Sequence, residues 1–206
     1  MNNETTTTAS VAGSATAAAP GQQPYRPKLR FYHASARGTG CALQIELHPA
    51  HDLTDGSLMM SVANQMTIGN RLGPNPTFPR FDWENKITVK LDFNDLSKML
   101  QVFRGECESL ENDQGLFHRS PSGMTKIVLR HIVEPVQGYS LELYRTPVQG
   151  EEQRAHFMFF PHEALGLAEA IAGSLAVISF GIPTVIPHDT SAYERATKEL
   201  RNASAA

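Results

Sequence analysis

The chain has 206 residues, 41% of them hydrophobic, with 18 lysines and arginines against 21 aspartates and glutamates and a formal net charge of -3. That size suits one compact domain with its own core, and a pI near 6.2 excludes a histone-like binder working by bulk charge, for which a pI above ~9 is usual. Two cysteines, Cys41 and Cys107, exclude a disulfide framework, and neither has a second Cys at zinc-ligand spacing, so a reducing compartment is expected.

Residues 1–27 are Thr, Ala, Ser, Gly and Pro with almost no large apolar side chain. They cannot bury enough surface to offset their ordering entropy and read as a disordered tail. The opening MNNETTTTASVAGSATAAAP has neither the basic start and apolar run of a signal peptide nor the arginines of a transit peptide, so a bacterial-type cytoplasm is the expected location. The pattern then becomes period two, apolar alternating with polar, in Leu29 to His33 and Leu43 to His48. That is how a sheet with one solvated face is written. The linking Ala36-Arg37-Gly38-Thr39-Gly40 supplies the glycines of a tight hairpin-like turn, and a third strand is expected over Ser57 to Thr67.

Gly69 to Pro79 holds Gly69, Gly73, Pro74, Pro76 and Pro79 and reads as a long exposed loop. A fourth strand follows, with Ile87, Val89, Leu91 and Phe93 on one face and Thr88, Lys90 and Asp92 on the other. Asn94 or Asp95 is placed to cap a helix in which Leu96, Met99, Leu100 and Phe103 recur at helical spacing until Gly105. The second half repeats the order. Strands are expected at Leu116 to Arg119, Lys126 to Glu134, Tyr139 to Thr146 and Ala155 to Phe160. In the second of these Ile127, Leu129 and Val133 point inward and Lys126 and Arg130 outward. A helix from Pro161 to Ser179 closes the unit with a broad apolar surface of Leu165, Ala168, Ile171, Ala172, Leu175 and Ile178. It carries Glu163 and Glu169 and lacks basic anchors, so a buried or intersubunit helix is expected rather than a membrane span. Residues 184–206 read as a mobile tail with a short helix at Ser191 to Asn202.

No catalytic constellation is present: there is no G-x-S-x-G, Walker A loop, H-E-x-x-H or G-x-G-x-x-G, and a non-enzyme is expected. Among eight histidines, His48-Pro49-Ala50-His51 places two imidazoles three apart, but the proline prevents a regular helix from presenting both and no third ligand is evident. Neither a metal nor any other cofactor is expected. Glu106, Glu108 and Glu111 read as a solvated connecting loop. Trp83, the single tryptophan, reads as a core residue in preference to a stacking platform.

Two local segments carry a resemblance. Arg37-Gly38-Thr39-Gly40-Cys41-Ala42-Leu43-Gln44-Ile45-Glu46 resembles the Lys-Gly-Lys-Ala-Ala-Leu motif of the Whirly family and the acidic strand that continues it. Phe81-Asp82-Trp83-Glu84-Asn85-Lys86-Ile87 is similar to that family's Tyr-Asp-Trp segment, and a doubled ββββα order is the family's topology, shared with the kinetoplast guide-RNA-binding proteins. The resemblance covers residues 28–183. It implies an α+β fold of two ββββα repeats, two packed antiparallel four-stranded sheets with helices at the subunit core, a homotetramer, and single-stranded DNA held along the sheets. The chain departs from the motif at its cations: both lysine positions fall on glycine, Gly38 and Gly40, and only Arg37 restores a charge one step upstream.

Sequence-tolerant binding of single strands needs rings for bases to stack on and cations for phosphates. The strands and loops offer Arg30 with Tyr32, Arg37 to Thr39 (Arg37, Gly38, Thr39), Arg80 with Phe81, Lys90, Lys126 with Arg130, and Tyr144. Each is equally readable as a solvated strand residue, and their joint placement is the signal. Residues 1–27 hold one acid and one base and residues 184–206 three of each, so the 28–183 core keeps 14 bases against 17 acids. A shallow salt dependence is expected. The alternatives are binding of single-stranded or guide-type RNA, and a self-assembling scaffold that keeps the fold without nucleic-acid affinity.

Overall fold

A computed structural model describes residues 28–50, 54–70, 72 and 74–181. The expected tails and the short helix at Ser191 to Asn202 lie outside these residues, as do His51 and Gly73. Among the described residues, nine strands and two helices run in the order β1 (Lys28–His33), β2 (Cys41–His48), β3 (Ser57–Thr67), β4 (Arg80–Phe81), β5 (Ile87–Leu91), α1 (Phe93–Phe103), β6 (Leu116–Ser120), β7 (Gly123–Ile132), β8 (Gly138–Pro147), β9 (Gln153–Phe159) and α2 (Pro161–Phe180), with one 3-10 turn at Leu110–Asp113. All pairings are antiparallel. The first sheet runs β1-β2-β3, and β3 then pairs β4 at its far end and β5 along Leu58 to Val62. The second runs β6-β7-β8-β9. The doubled ββββα order is therefore present, with one two-residue strand added to the first sheet.

Period-two alternation gives each sheet one buried face. Phe31, Leu43, Val62 and Ile87 form one cross-strand row of the first sheet, and Leu116, Ile127, Leu143 and Ala155 one row of the second. Both rows belong to a single core that α1 and α2 complete. Its aromatic centre ties the halves together. Phe31 of β1 meets Phe157 and Phe159 of β9 edge-on at 6.2 and 5.9 Å, and Phe103 of α1 meets Phe159 at 5.7 Å. Rings in such T-shaped pairs gain about 0.5–1.5 kcal/mol beyond their buried area.

The helix ends follow from local chemistry. The cap of α1 is Asp92, not Asn94 or Asp95: its side chain accepts from Asp95 N at 2.9 Å, and Asp95 Oδ2 accepts from Asp92 N at 3.1 Å. Leu91 is the last inward residue of β5, so Phe93, expected on that strand's apolar face, becomes the first helical residue and is 48% exposed. At α2, Pro161 occupies the first turn and Glu163 accepts from Phe160 N at 2.9 Å. Phe160 has no acceptor to return the bond, and Glu163 uses its other oxygen for His33 Nε2 at 2.8 Å, tying β1 to the start of α2. At the other end, where a helix's last carbonyls lack partners within it, Ala50 N and Gly56 N donate to the carbonyls of Val177 and Ile178, and Gly181 N donates to Val177 O as well. Val133 is not inward as expected. β7 stops at Ile132, and Val133 is 67% exposed at the start of the β7–β8 turn.

Candidate nucleic-acid interface

The outward faces of the two sheets hold the residues of interest. On the first, register places Arg30, Gln44, Ser61 and Thr88 in one row. Arg30 Nε donates to Gln44 Oε1 at 2.9 Å, and the Ser61 and Thr88 hydroxyls are 2.9 Å apart. Tyr32 stands one row away, 52% exposed, with its ring 5.6 Å from that of Phe81 on β4. Lys90 lies on the other side of the Arg30 row, at the end of the row Lys28, Glu46, Met59, Lys90. Lys28 is held by Glu46 at 3.1 Å, whereas Arg37, Arg80 and Lys90 are exposed.

The β1–β2 connection is wider than a tight hairpin, running over residues 34–40. Gln65 of β3 organises it. Its Oε1 accepts from Ser35 N at 2.8 Å and Gly40 N at 3.1 Å, and its Nε2 donates to the carbonyls of Ser35 and Thr67, both at 3.0 Å. Gly38 closes a turn onto Ser35 O at 3.1 Å with φ +75°, a conformation that side chains disfavour. A Cβ on Gly40 would press into Gln65 Oε1 and the His33 carbonyl. The two glycines that stand in place of lysines are thus required by this loop. Arg37 and Thr39 are presented at its exposed tip, Thr39 through a hydroxyl bond to Ser35 at 3.3 Å.

The second sheet carries the more ordered array. Phe117, Lys126, Tyr144 and Arg154 lie directly opposite one another on β6, β7, β8 and β9, so one row alternates ring, cation, ring, cation. Lys126 Nζ stands 5.4 Å from the centre of the Phe117 ring, which is 56% exposed, and Arg154 Cζ stands 5.1 Å from that of Tyr144. Arg130, expected to act beside Lys126, is two rows away and engaged: its Nε donates to Asp113 Oδ1 at 2.7 Å and its Nη1 to Glu142 Oε1 at 3.2 Å. Glu142 also accepts from Arg154 Nη2 at 2.7 Å and, through a short bond, from the Tyr144 hydroxyl. Burial would raise the Glu142 carboxyl, but the Tyr144 and Arg154 contacts hold it below the ordinary carboxylate range, so it is ionised at neutral pH.

The expected site residues therefore fall into two groups on two sheets. Arg30, Tyr32, Arg37, Gly38, Thr39, Arg80, Phe81 and Lys90 belong to the first, and Lys126, Arg130 and Tyr144 to the second. The sheets meet where Asn64 Nδ2 of β3 donates to the Arg154 carbonyl of β9 at 3.0 Å. Phe117 and Arg154 were missed by sequence reasoning. Alternation carried their signal, since Leu116 and Ala155 point inward, but the row they complete exists only through register. Trp83 is half-buried and stands outside the core cluster, contrary to its reading as a core residue, because it follows the short β4 in a turn closed by Asp82 and Asn85. Cys41 is buried and its thiol is pushed up to about 12 by desolvation, which leaves it unreactive.

No protein-family model matches the sequence, and no curated protein sequence matches it. Solved structures do. WHY3 from Arabidopsis thaliana superposes with a TM-score of 0.60 at 15% identity, covering 86% of this chain and 97% of that one. The fold is that of the Whirly proteins. WHY1 from the same plant gives a TM-score of 0.58 at 14% identity over 76% of this chain and 93% of its own. The plant transcriptional regulator PBF-2 gives 0.58 at 13% identity over 76% and 84%. At such identities the Whirly likeness is one of fold, and the binding surface must be argued from this chain's own residues.

Proposed function

We propose that this protein binds single-stranded nucleic acid, DNA by preference, with tolerance of sequence and without catalysis. The carrying observation is the Phe117–Lys126–Tyr144–Arg154 row, which spans all four strands of the second sheet and alternates stacking surface with positive charge. Every base has a flat face, so rings accept any sequence, at about 1–3 kcal/mol per stacked base. The exposed Tyr32, paired with the half-buried Phe81, offers the same chemistry on the first sheet together with Arg30, Arg37 and Arg80. The Whirly fold, with a transcriptional regulator among its structures, supports the reading. The preference for DNA rests on the family resemblance, because stacking alone does not read the 2′-hydroxyl.

The same reading makes the protein a homo-oligomer, a tetramer by resemblance. In its support, α2 buries Ala164, Leu167, Ala168, Ile171 and Ile178 against its own core while Leu165 is 64% and Phe180 88% exposed. That helix is long and apolar enough to cross a membrane by composition alone; its packing on α1 and its acidic Glu163 and Glu169 favour a second copy as the cover. Fluorescence polarisation with labelled single-stranded DNA, duplex DNA and RNA of one length, at two salt concentrations, tests the function. Tight single-strand preference with weak salt dependence is expected. Equal, weak binding to single strand and duplex refutes it, and a clean oligomer with no affinity for any of the three selects the scaffold reading.

A further inference from the structure

The outward face of the second sheet contains more cationic groups than it leaves free. Glu142 sits in the row Val128, Glu142, His156, between the Lys126–Tyr144 row on one side and the Arg130–Ser140 row on the other. From this central position its two oxygens gather Arg130, Arg154 and the Tyr144 hydroxyl. Its side chain is only 13% exposed, against 61% for Arg154. Asp113 completes the clamp on Arg130 from a loop that is itself strained: Glu111, Asn112 and Asp113 adopt φ of 48°, 49° and 70° in succession, a left-handed run that residues other than glycine avoid. Ser109 Oγ holds that loop by accepting from Asp113 N at 3.0 Å, and Lys98 holds Glu111 at 2.5 Å.

We infer that Glu142 is a built-in phosphate substitute, occupying the guanidinium groups of Arg130 and Arg154 with Asp113 as a second arm, so that a nucleic acid must displace an internal anion to use them. A carboxylate and a phosphodiester offer guanidinium the same pair of oxygen acceptors, and both carry one negative charge. Glu142 acts on stacking as well. By holding Arg154 it keeps that guanidinium 5.1 Å from the Tyr144 ring centre, on a surface a base would use. The clamp accounts for how a sheet rich in arginine belongs to a domain with a net acidic core. It lowers phosphate affinity while leaving the exposed Phe117 ring and Lys126, which rests against that ring and not against a carboxylate, outside the clamp, which selects ligands able to stack over ligands that offer only charge.

This inference rests on the proposed single-strand binding, and the test separates the two. Wild type, Glu142→Gln, Asp113→Asn and Glu106→Gln are compared by polarisation with a labelled oligo(dT) across a salt series. Glu106, exposed after α1, is a charge-matched control. Glu142→Gln is expected to bind about tenfold tighter at low salt, with a log K against log salt slope steeper by up to ~1.4, at ~0.7 for each additional phosphate neutralised on a single strand. Asp113→Asn, which releases one of the two carboxylates holding Arg130, is expected to bind about threefold tighter, and Glu106→Gln under twofold. Wild-type binding with no improvement in Glu142→Gln, or an equal improvement in Glu106→Gln, overturns the inference and leaves the binding function standing. If none of the four proteins binds at low salt, both fall. Should Glu142→Gln fail to fold by near-UV circular dichroism, Asp113→Asn on its exposed loop decides the matter, and unchanged affinity there overturns the inference.

Discussion

Gly40→Ala should unseat the loop that presents Arg37. The added methyl would fall inside van der Waals contact of Gln65 Oε1 and of the His33 carbonyl, and 2.8 Å from Ser35 N. Gln65 can swing aside, but doing so gives up its bonds to Ser35 N, Gly40 N, Ser35 O and Thr67 O. Each is worth about 0.5–1.5 kcal/mol net, less where water can substitute, so losing the set costs about 2 kcal/mol. The His33 carbonyl belongs to β1, whose register with Cys41 fixes it, and strain there adds roughly 1 kcal/mol. A total near 3 kcal/mol corresponds to a fall in Tm of about 6–12 °C for a domain of this size. Urea unfolding followed by circular dichroism measures it, with Gln65→Ala and the double variant completing a cycle. Gln65→Ala removes the bonds without the clash. The double variant should therefore lose less than the sum, yet remain less stable than Gln65→Ala alone, because the His33 contact persists. A Gly40→Ala protein within about 0.5 kcal/mol of wild type, a threshold set by ordinary surface substitutions, would refute the reasoning.

Three further outcomes are expected. Phe117→Ala and Tyr144→Ala should each weaken oligo(dT) binding by about 1–3 kcal/mol with little change in salt slope, measured by polarisation; a steep change in slope with small loss of affinity would mean that these rings do not stack. Arg37→Ala and Lys90→Ala should weaken all sequences alike, because phosphate contacts carry no base information, and loss confined to one oligonucleotide would contradict that role. The third concerns pH. His118 Nε2 stands 3.3 Å from Asp95 Oδ2, an ion-pair contact without hydrogen-bond alignment. Contact with Asp95 raises His118 above its ordinary 6.5. Burial would raise Asp95, but His118 and the Asp92 backbone hold it below 3.8. The histidine's contribution is complete below 6.5 and is lost as pH rises through its raised value; the carboxylate's is complete above 3.8 and is lost as pH falls through its lowered one. The stability difference between wild type and His118→Gln should thus peak between about pH 4 and 6.5 and shrink on either side. Its size should stay under about 1 kcal/mol, since both groups are partly solvated. A difference that grows above about pH 8 would show that the sign is wrong.

The sequence by itself determined the elements. Period-two alternation in Leu43 to His48 and Ile87 to Leu91, and helical spacing in Leu96 to Phe103, are local consequences of which face must be buried, so strands and helices were legible within a few residues. Exceptions lay at boundaries, where Asp92 outcompeted Asn94 and Asp95 as cap and Val133 fell just past a strand end. The doubled ββββα order and the Arg37 and Phe81 segments were enough to name the Whirly resemblance. What only the tertiary structure decided was neighbourhood. Alternation tells which face Phe117, Lys126, Tyr144 and Arg154 occupy, but not that four separate strands align them in one row, because register is fixed by packing between segments distant in sequence. For the same reason the pairing of Arg130 with Asp113 and Glu142 was invisible: charge can be counted along the chain, but whether an arginine is free depends on which carboxylate folding places beside it.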